Sequence, residues 1–366
     1  MAKNIKYLVL VVAISFMIES IQSHNEAGGF HCDSGATAQI QADYMPGIIT
    51  LDGKSQDWNK IPGYSFPLRP ALDPDEDKEY TGGKMTVKAL HDGRNVFFLL
   101  EVPGEYRYVQ GKQTSCPSVS LMFQVGGNAI YHNMGACKET VDSCTSKSCG
   151  GHEVDIMHFS IGTAIPGRLY GANIIDNTNG TGEDRFGHLV DLYAWNPHCR
   201  YLDGMGPQGN GNGANFSGQN DWQGAWWHDL IDNSLGLLAN ASPYASTGSK
   251  GTYTFEFSRP LRTSDRLQQD VQFVIGQAHN FSAAFWYPVN GNPWTKSSHY
   301  SVSCDWVPLE IISAEKESHV VPSTRAVDAL NVISLVLSLL AFGVSIFVGW
   351  WVRKGKSMTF TPIDHL

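Results

Sequence analysis

Between His132 and His158 the sequence gathers the side chains that can ligate a metal or move a proton: His132-Asn133-Met134, the cysteines Cys137, Cys144 and Cys149, then His152-Glu153 and His158. An imidazole and a thioether two residues apart suit copper, but one such triplet does not define a site. His152-Glu153 and His158 lack the spacing of zinc proteases, and on a strand His152 and His158 share one face, so they read as structural. The cysteine spacings of seven and five match no common zinc pattern. No phosphate-binding glycine loop, nucleophile elbow or catalytic triad is legible, which argues against an independent enzyme.

The flanks of the sequence set the compartment. Residues 1–23 carry Lys3 and Lys6, then an apolar run from Tyr7 to Met17, then small and polar residues to Ser23, the layout of a cleaved secretory signal. Ala329 to Val352 holds 24 residues without a charge. At 1.5 Å per residue that run spans a hydrocarbon core of about 30 Å. Trp350 and Trp351, then Arg353, Lys354 and Lys356, place the C-terminal end in the cytosol. The expected organisation is signal peptide 1–23, ectodomain 24–314, stalk 315–328, transmembrane helix 329–352 and cytosolic tail 353–366, a single-pass type I protein of the secretory pathway with the plasma membrane as default. All seven cysteines, Cys32, Cys116, Cys137, Cys144, Cys149, Cys199 and Cys304, fall in the ectodomain, where disulfides persist; the odd number leaves one over. Sequons at Asn179, Asn215, Asn240 and Asn280 fit a glycoprotein. A net charge of −9 with no long basic run excludes nucleic acid as the expected partner.

The ectodomain reads as short β-branched and aromatic runs separated by Gly, Asn, Asp and Pro, which predicts a mainly β fold, an antiparallel two-sheet β-sandwich, followed by the one C-terminal transmembrane helix. Met85–Leu90 and Val96–Val102 around His91-Asp92-Gly93-Arg94-Asn95 predict a hairpin. Further strands are expected at Gly47–Leu51, Ser118–Val125, Glu153–Ile161, Thr252–Ser258, Val271–Gln277, Ala283–Tyr287 and Trp306–Ile312. Gly204–Gln219 reads as a surface loop. Beside it, Trp222, Trp226 and Trp227 are candidate platforms for sugar rings, the basis of an alternative reading as a carbohydrate-binding cell-surface module.

Two segments carry a resemblance. Asp52-Gly53 with Asp57-Trp58, followed by the hairpin ALHDGRNVFFLLEV at 89–102, resembles the haem-binding domain of the ethylbenzene dehydrogenase gamma subunit and its dimethyl sulfide dehydrogenase relatives, a sandwich related to DOMON domains and family 9 carbohydrate-binding modules. Asn133-Met134-Gly135 before Glu153–Phe159, and Asn290–Ser297 before Trp306-Val307-Pro308-Leu309, are similar to that family's Met-Gly turn, histidine-bearing strand, lysine loop and final strand. In that family a methionine and a lysine bind haem iron from opposite faces, so the resemblance implies Met134 and Lys296 as axial ligands. The cysteine-rich insertion after Met134 and the glycine-rich loop depart from the bacterial pattern.

The resemblance implies electron transfer rather than catalysis. A thioether favours ferrous iron, a lysine must lose its proton in a dry pocket before it binds, and two filled axial positions leave no site for substrate. Without Cys-x-x-Cys-His the group is haem b, and a separate redox partner protein is required. Read alone, Met134 is a gap-filling core methionine and Lys296 a solvated lysine. Arg168 is a candidate partner for a haem propionate, or an ordinary surface arginine.

Overall fold

A computed structural model describes residues 39–70, 83–141, 143–171, 189–203, 220–231, 238–239, 246–265, 267–295, 299–303, 305–314 and 329–354. The chain divides into two compact units, Met1–Ala314 and Glu315–Leu366.

The first unit is built from strands: β1 (Ile40–Tyr44), β2 (Tyr64–Pro67), β3 (Arg69–Pro70), β4 (Lys84–His91), β5 (Asn95–Glu105), β6 (Ser118–Gln124), β7 (Val154–Ser160) and β8 (Tyr170–Gly171). It continues with β9 (Leu189–Asn196), β10 (Cys199–Leu202), β11 (Gln223–Ile231), β12 (Leu238–Ala239), β13 (Lys250–Pro260), β14 (Ala278–Trp286), β15 (Tyr300–Ser301) and β16 (Val307–Ile311). They form one continuous sheet ordered β10-β9-β7-β6-β14-β16-β1-β4-β5-β13-β11-β12. Folding of that ribbon on itself makes the sandwich. Phe98 of β5 meets Phe123 of β6 with ring centroids 5.8 Å apart, although four strands separate them in the sheet. Phe159 of β7 meets Phe257 of β13, also at 5.8 Å. The expectation of two separate antiparallel sheets is corrected on both counts. The sheet is single, and β1 runs parallel to both its neighbours, with Ile40 opposite Leu309 of β16 and Ala42 opposite Ala89 of β4.

The predicted hairpin is β4–β5, with His91 opposite Val96. Its turn closes because Asp92 Oδ1 accepts the amides of Arg94 and Asn95, at 2.8 and 2.6 Å, while Gly93 supplies φ +89°. Two predicted strands are absent. In Gly47–Leu51 the Thr50 amide donates to Asp57 Oδ2 at 2.8 Å, and just beyond it the Asp52 amide donates to Glu256 Oε2 at 2.9 Å. Val271–Gln277 sends the Val271 amide to Asp155 Oδ2 and the Val274 amide to His279 Nε2. Apolar alternation marks burial at Val271 and Phe273 but not in Gly47–Leu51, where no residue is buried, and in both segments side chains capture the amides a strand would give to a neighbour.

Glu256 explains the Asp-Gly…Asp-Trp entry. From β13 it also accepts the Gly53 amide at 2.5 Å and the Trp58 indole N–H at 2.7 Å. Burial pushes its pKa up to about 7 against those hydrogen bonds. Gly53, at φ +80°, admits no other residue, since a Cβ would lie 2.3 Å from the Trp226 carbonyl carbon. Trp58→Phe removes one donor from a buried acceptor and is expected to cost about 1–3 kcal/mol in urea unfolding; a change under about 0.5 kcal/mol refutes the anchoring role.

The second unit contains the helix Ala329–Lys354, so the helical part of the expectation for 329–352 is met. Its described side chains run from Leu337 to Trp351, with Leu339, Phe342, Ile346 and Trp350 all exposed. Among the described residues no helix is long and apolar enough to cross a membrane. Stalk 315–328, signal 1–23 and tail residues 355–366 lie outside the described residues.

Candidate functional site

The face of β6 turned away from the core positions the candidate site. Val119, Leu121 and Phe123 enter the core, so Ser118, Ser120 and Met122 point outward. Registry aligns them with His158 and Ile156 of β7 and with Ser282, Ala284 and Trp286 of β14.

Met134 stands at one end of this face. It packs on Ala129, Val154, Ile156 and Ala194 beside Met122, Leu192 and Trp306, an apolar wall that leaves it half-buried. The turn that presents it is unusual: Asn133, Met134, Gly135 and Ala136 all have positive φ, at 54°, 50°, 104° and 60°. Left-handed conformations cost energy for residues with a Cβ and persist where the surroundings hold them. Here the Gly135 amide donates to Ile130 O at 3.0 Å, Cys137 N–H to Trp195 O at 2.9 Å, and the His152 ring Nδ1 is 2.8 Å from Gly135 O. A Cβ on Gly135 would lie 2.2 Å from His152 O. His152 therefore lies in the turn before β7 rather than sharing a strand face with His158, and the two histidines form no metal pair. His132 and Asn133 are exposed, and His132 rests beside Tyr131.

At the other end stands the closing loop. Lys296 itself lies outside the described residues, but the segments on either side are fixed. Trp294 donates its indole N–H to Cys116 O at 2.6 Å and packs 5.9 Å from Trp286. His299 lies 4.9 Å from Trp286. His158 joins the cluster, 5.1 Å from Trp286, with Nε2 2.7 Å from Ser118 Oγ. The two ends are tied together: Tyr131, three residues before Met134, donates to Ser301 Oγ at 2.6 Å, and its ring meets Trp306 edge-on at 6.1 Å. From Ser118 to Met122 the face runs roughly 13 Å at the rise of a strand.

Other predicted residues fall elsewhere. Cys137–Cys149 and Cys144–Cys199 are disulfides, which favours the disulfide reading of that cluster over zinc. Among the described residues Cys116 is the free cysteine, a buried thiol whose pKa burial pushes up to about 11; Cys32 and Cys304 lie outside them. The tryptophan platform is corrected: Trp222 and Trp226 are fully buried, Trp222 stacked on Phe123 and Trp226 donating to Ala164 O. Only Trp227 is partly open, beneath Lys54. Exposed Arg168 lies over the Tyr170 ring in β8. Asn280 is part-buried in β14, its amide donating to Gln124 Oε1 at 2.6 Å, while Asn179, Asn215 and Asn240 lie outside the described residues, as does Gly204–Gln219.

Fold and site together define a folded-over β-sandwich with a methionine on a left-handed turn at one end of a sheet face and an aromatic and histidine cluster at the other. The chain belongs to the ethylbenzene dehydrogenase family, whose model matches residues 55–301. No curated protein matches it. Among solved structures it is similar to a family 9 carbohydrate-binding module from Caldicellulosiruptor kristjanssonii with cellotriose, at 10% identity and TM-score 0.35, covering 78% of this chain and 100% of that one. The same module with glucose gives 8% identity and TM-score 0.33, covering 75% and 95%. Likeness at this level carries no functional argument.

Proposed function

We propose that this protein binds one haem b on the outer face of β6, β7 and β14 and serves as an electron carrier rather than an independent catalyst. The observation that supports this most is the clamped left-handed turn that holds Met134 against an apolar wall, in a chain of the ethylbenzene dehydrogenase family. Met134 supplies a half-buried thioether suited to the group at one end of the face, and at the other Trp294 and His299 flank in sequence the position of Lys296, whose role as second ligand rests on the resemblance. When bound, the haem would supply one-electron exchange.

In this reading each residue has a defined task. The Asn133–Ala136 turn fixes the direction of the thioether. Met122, Ile156 and Trp306 exclude water from its side, and Lys296, the second ligand that the resemblance implies, would have to lose its proton to bind. His158, bonded to Ser118, borders the face. Arg168, stacked on Tyr170 at β8, is not assigned a propionate.

The test is the absorption spectrum of full-length protein made with haem supplied, oxidised and dithionite-reduced. The expected result is a sharp low-spin reduced spectrum that turns high-spin or disappears in Lys296→Ala. A folded, colourless protein sinks the proposal. The exposed apolar side chains of the helix at Leu337–Trp351, with Lys354 4.5 Å from the Trp350 ring, support anchoring of the carrier in a secretory-pathway membrane as a type I protein. Full-length protein is expected to stay in the pellet on alkaline extraction; release to the supernatant refutes the anchor.

A further inference from the structure

Four aspartates converge on one arginine at the margin of the core, away from the Met134 face. β7 supplies Asp155, β9 supplies Asp191, the turn after β10 supplies Asp203, and the segment before Val271 supplies Asp270; their exposures are 1, 1, 5 and 4%. One carboxylate oxygen from each of Asp155, Asp191 and Asp270 lies within 4.8 Å of the others. Arg259 of β13 donates to Asp155 Oδ2 at 2.5 Å and has Nη2 4.0 Å from Asp270 Oδ2. The Val271 amide also donates to Asp155 Oδ2, at 2.9 Å, and the Asp221 amide to Asp191 Oδ2, at 3.2 Å. The second oxygens are left bare. Among the described residues no N–H or hydroxyl donor reaches Asp155 Oδ1, Asp191 Oδ1 or either oxygen of Asp203.

Buried carboxylates in excess of their cation are expensive, and the excess must be neutralised by protons or by a metal. Burial, with repulsion from neighbouring carboxylates, pushes the metal-free pKa of Asp203 up to about 10 and that of Asp191 well above the usual range. A fold that needed only neutral side chains here would be better served by amides. Oxygen-only donors exclude the nitrogen and sulfur chemistry preferred by zinc. A buried set of four carboxylates exceeds the one or two that magnesium usually takes, and matches calcium. An open cleft of about 560 Å³, lined by Gln124, Arg262, Thr263, Asp265 and His279, reaches Asp270 and gives a route in.

We propose that Asp155, Asp191, Asp203 and Asp270 form a buried calcium site, with Arg259 orienting Asp155. Its test uses full-length protein stripped with EDTA, titrated with calcium chloride in a thermal melt and with terbium, whose luminescence Trp222 beneath Arg259 would sensitise. The expected result is a Tm rise of about 5 °C or more at 100 times Kd, with a smaller response to magnesium chloride. Asp191→Asn removes a buried charge, so it should leave the metal-free Tm unchanged or higher while weakening calcium binding at least tenfold. If that variant fails to fold, Asp203→Asn carries the same comparison. Absence of both the calcium shift and the terbium signal overturns the site, as does a folded variant that keeps the wild-type response. These readouts do not depend on haem.

Discussion

Met134→Ala is expected to convert the reduced haem spectrum from low-spin to high-spin, and Met134→His to restore the low-spin form at a lower midpoint potential. The drop expected for exchanging a thioether for an imidazole is on the order of 100 mV, within the ≈ 0.8 V range that axial ligands span. The sign follows from softness: the thioether favours ferrous iron, and the imidazole, a stronger donor, favours ferric. The two variants separate a ligand from a packing residue. Were Met134 only part of the cluster with Val154, Ile156 and Ala194, its truncation would cost about 2–5 kcal/mol at full burial and less at half. The spectrum would then stay unchanged, and that outcome removes Met134 from the iron. The positive φ of Met134 adds a control, because Met134→Gly relaxes the backbone while removing the sulfur and should match Met134→Ala spectrally.

Arg259→Met is expected to destabilise the metal-free protein by about 3–5 kcal/mol in urea unfolding. The side chain is fully buried, spans Asp155 and Asp270, donates to Val271 O at 2.7 Å, and lies over the rings of Trp222 and Phe273. Burial opposes its charge, yet Asp155, Asp270 and Asp191 hold its pKa above the ordinary guanidinium value. Removing it leaves their charges uncompensated. Asp155→Asn in the same chain should return part of the loss, by about 0.5–3 kcal/mol of coupling. Acid should return part as well. These carboxyls bind protons more tightly folded than unfolded, so their contribution is complete below about pH 4. It falls as pH rises through the folded values, which with Arg259 in place are about 6 for Asp155 and about 10 for Asp203; loss of the guanidinium that lowers the Asp155 value moves its fall to higher pH, and Asp221 and Asp265 add to the local negative field. A loss under about 1 kcal/mol at pH 7 would show that the pair is not a stability element.

What was legible in the sequence depended on whether the decisive contacts were local. The β4–β5 hairpin, β6 and β7 follow from alternation and turn residues within a few positions. Met134 was legible as a candidate through its Asn-Met-Gly setting, but the reason for its left-handed turn sits in Ile130, His152 and Trp195. Gly47–Leu51 and Val271–Gln277 read as strands because alternation does not reveal that side chains take their amides, Asp57 and His279 from a few residues on and Asp155 from far along the chain. β9 goes unread because Asp191 interrupts its apolar run, and the reason for that interruption lies with Asp203 across the next turn and with Asp155 and Asp270 farther off in the chain. Trp222 and Trp226 passed for surface platforms because the adjoining Gly/Asn-rich stretch gives no sign that β11 runs through the interior.

The parallel pairing of β1 sets an order of assembly. Ile40 meets Leu309, so a strand made near the start of the sheet waits for one made at its end before its second edge is covered. During synthesis from the N-terminus, β4 can shelter only one side of β1, and the other stays open until β16 emerges. Non-local closure of this kind belongs to the slow, millisecond-to-second regime of folding. The nascent protein therefore has to be shielded from pairing with other chains until almost all of its strands have been made.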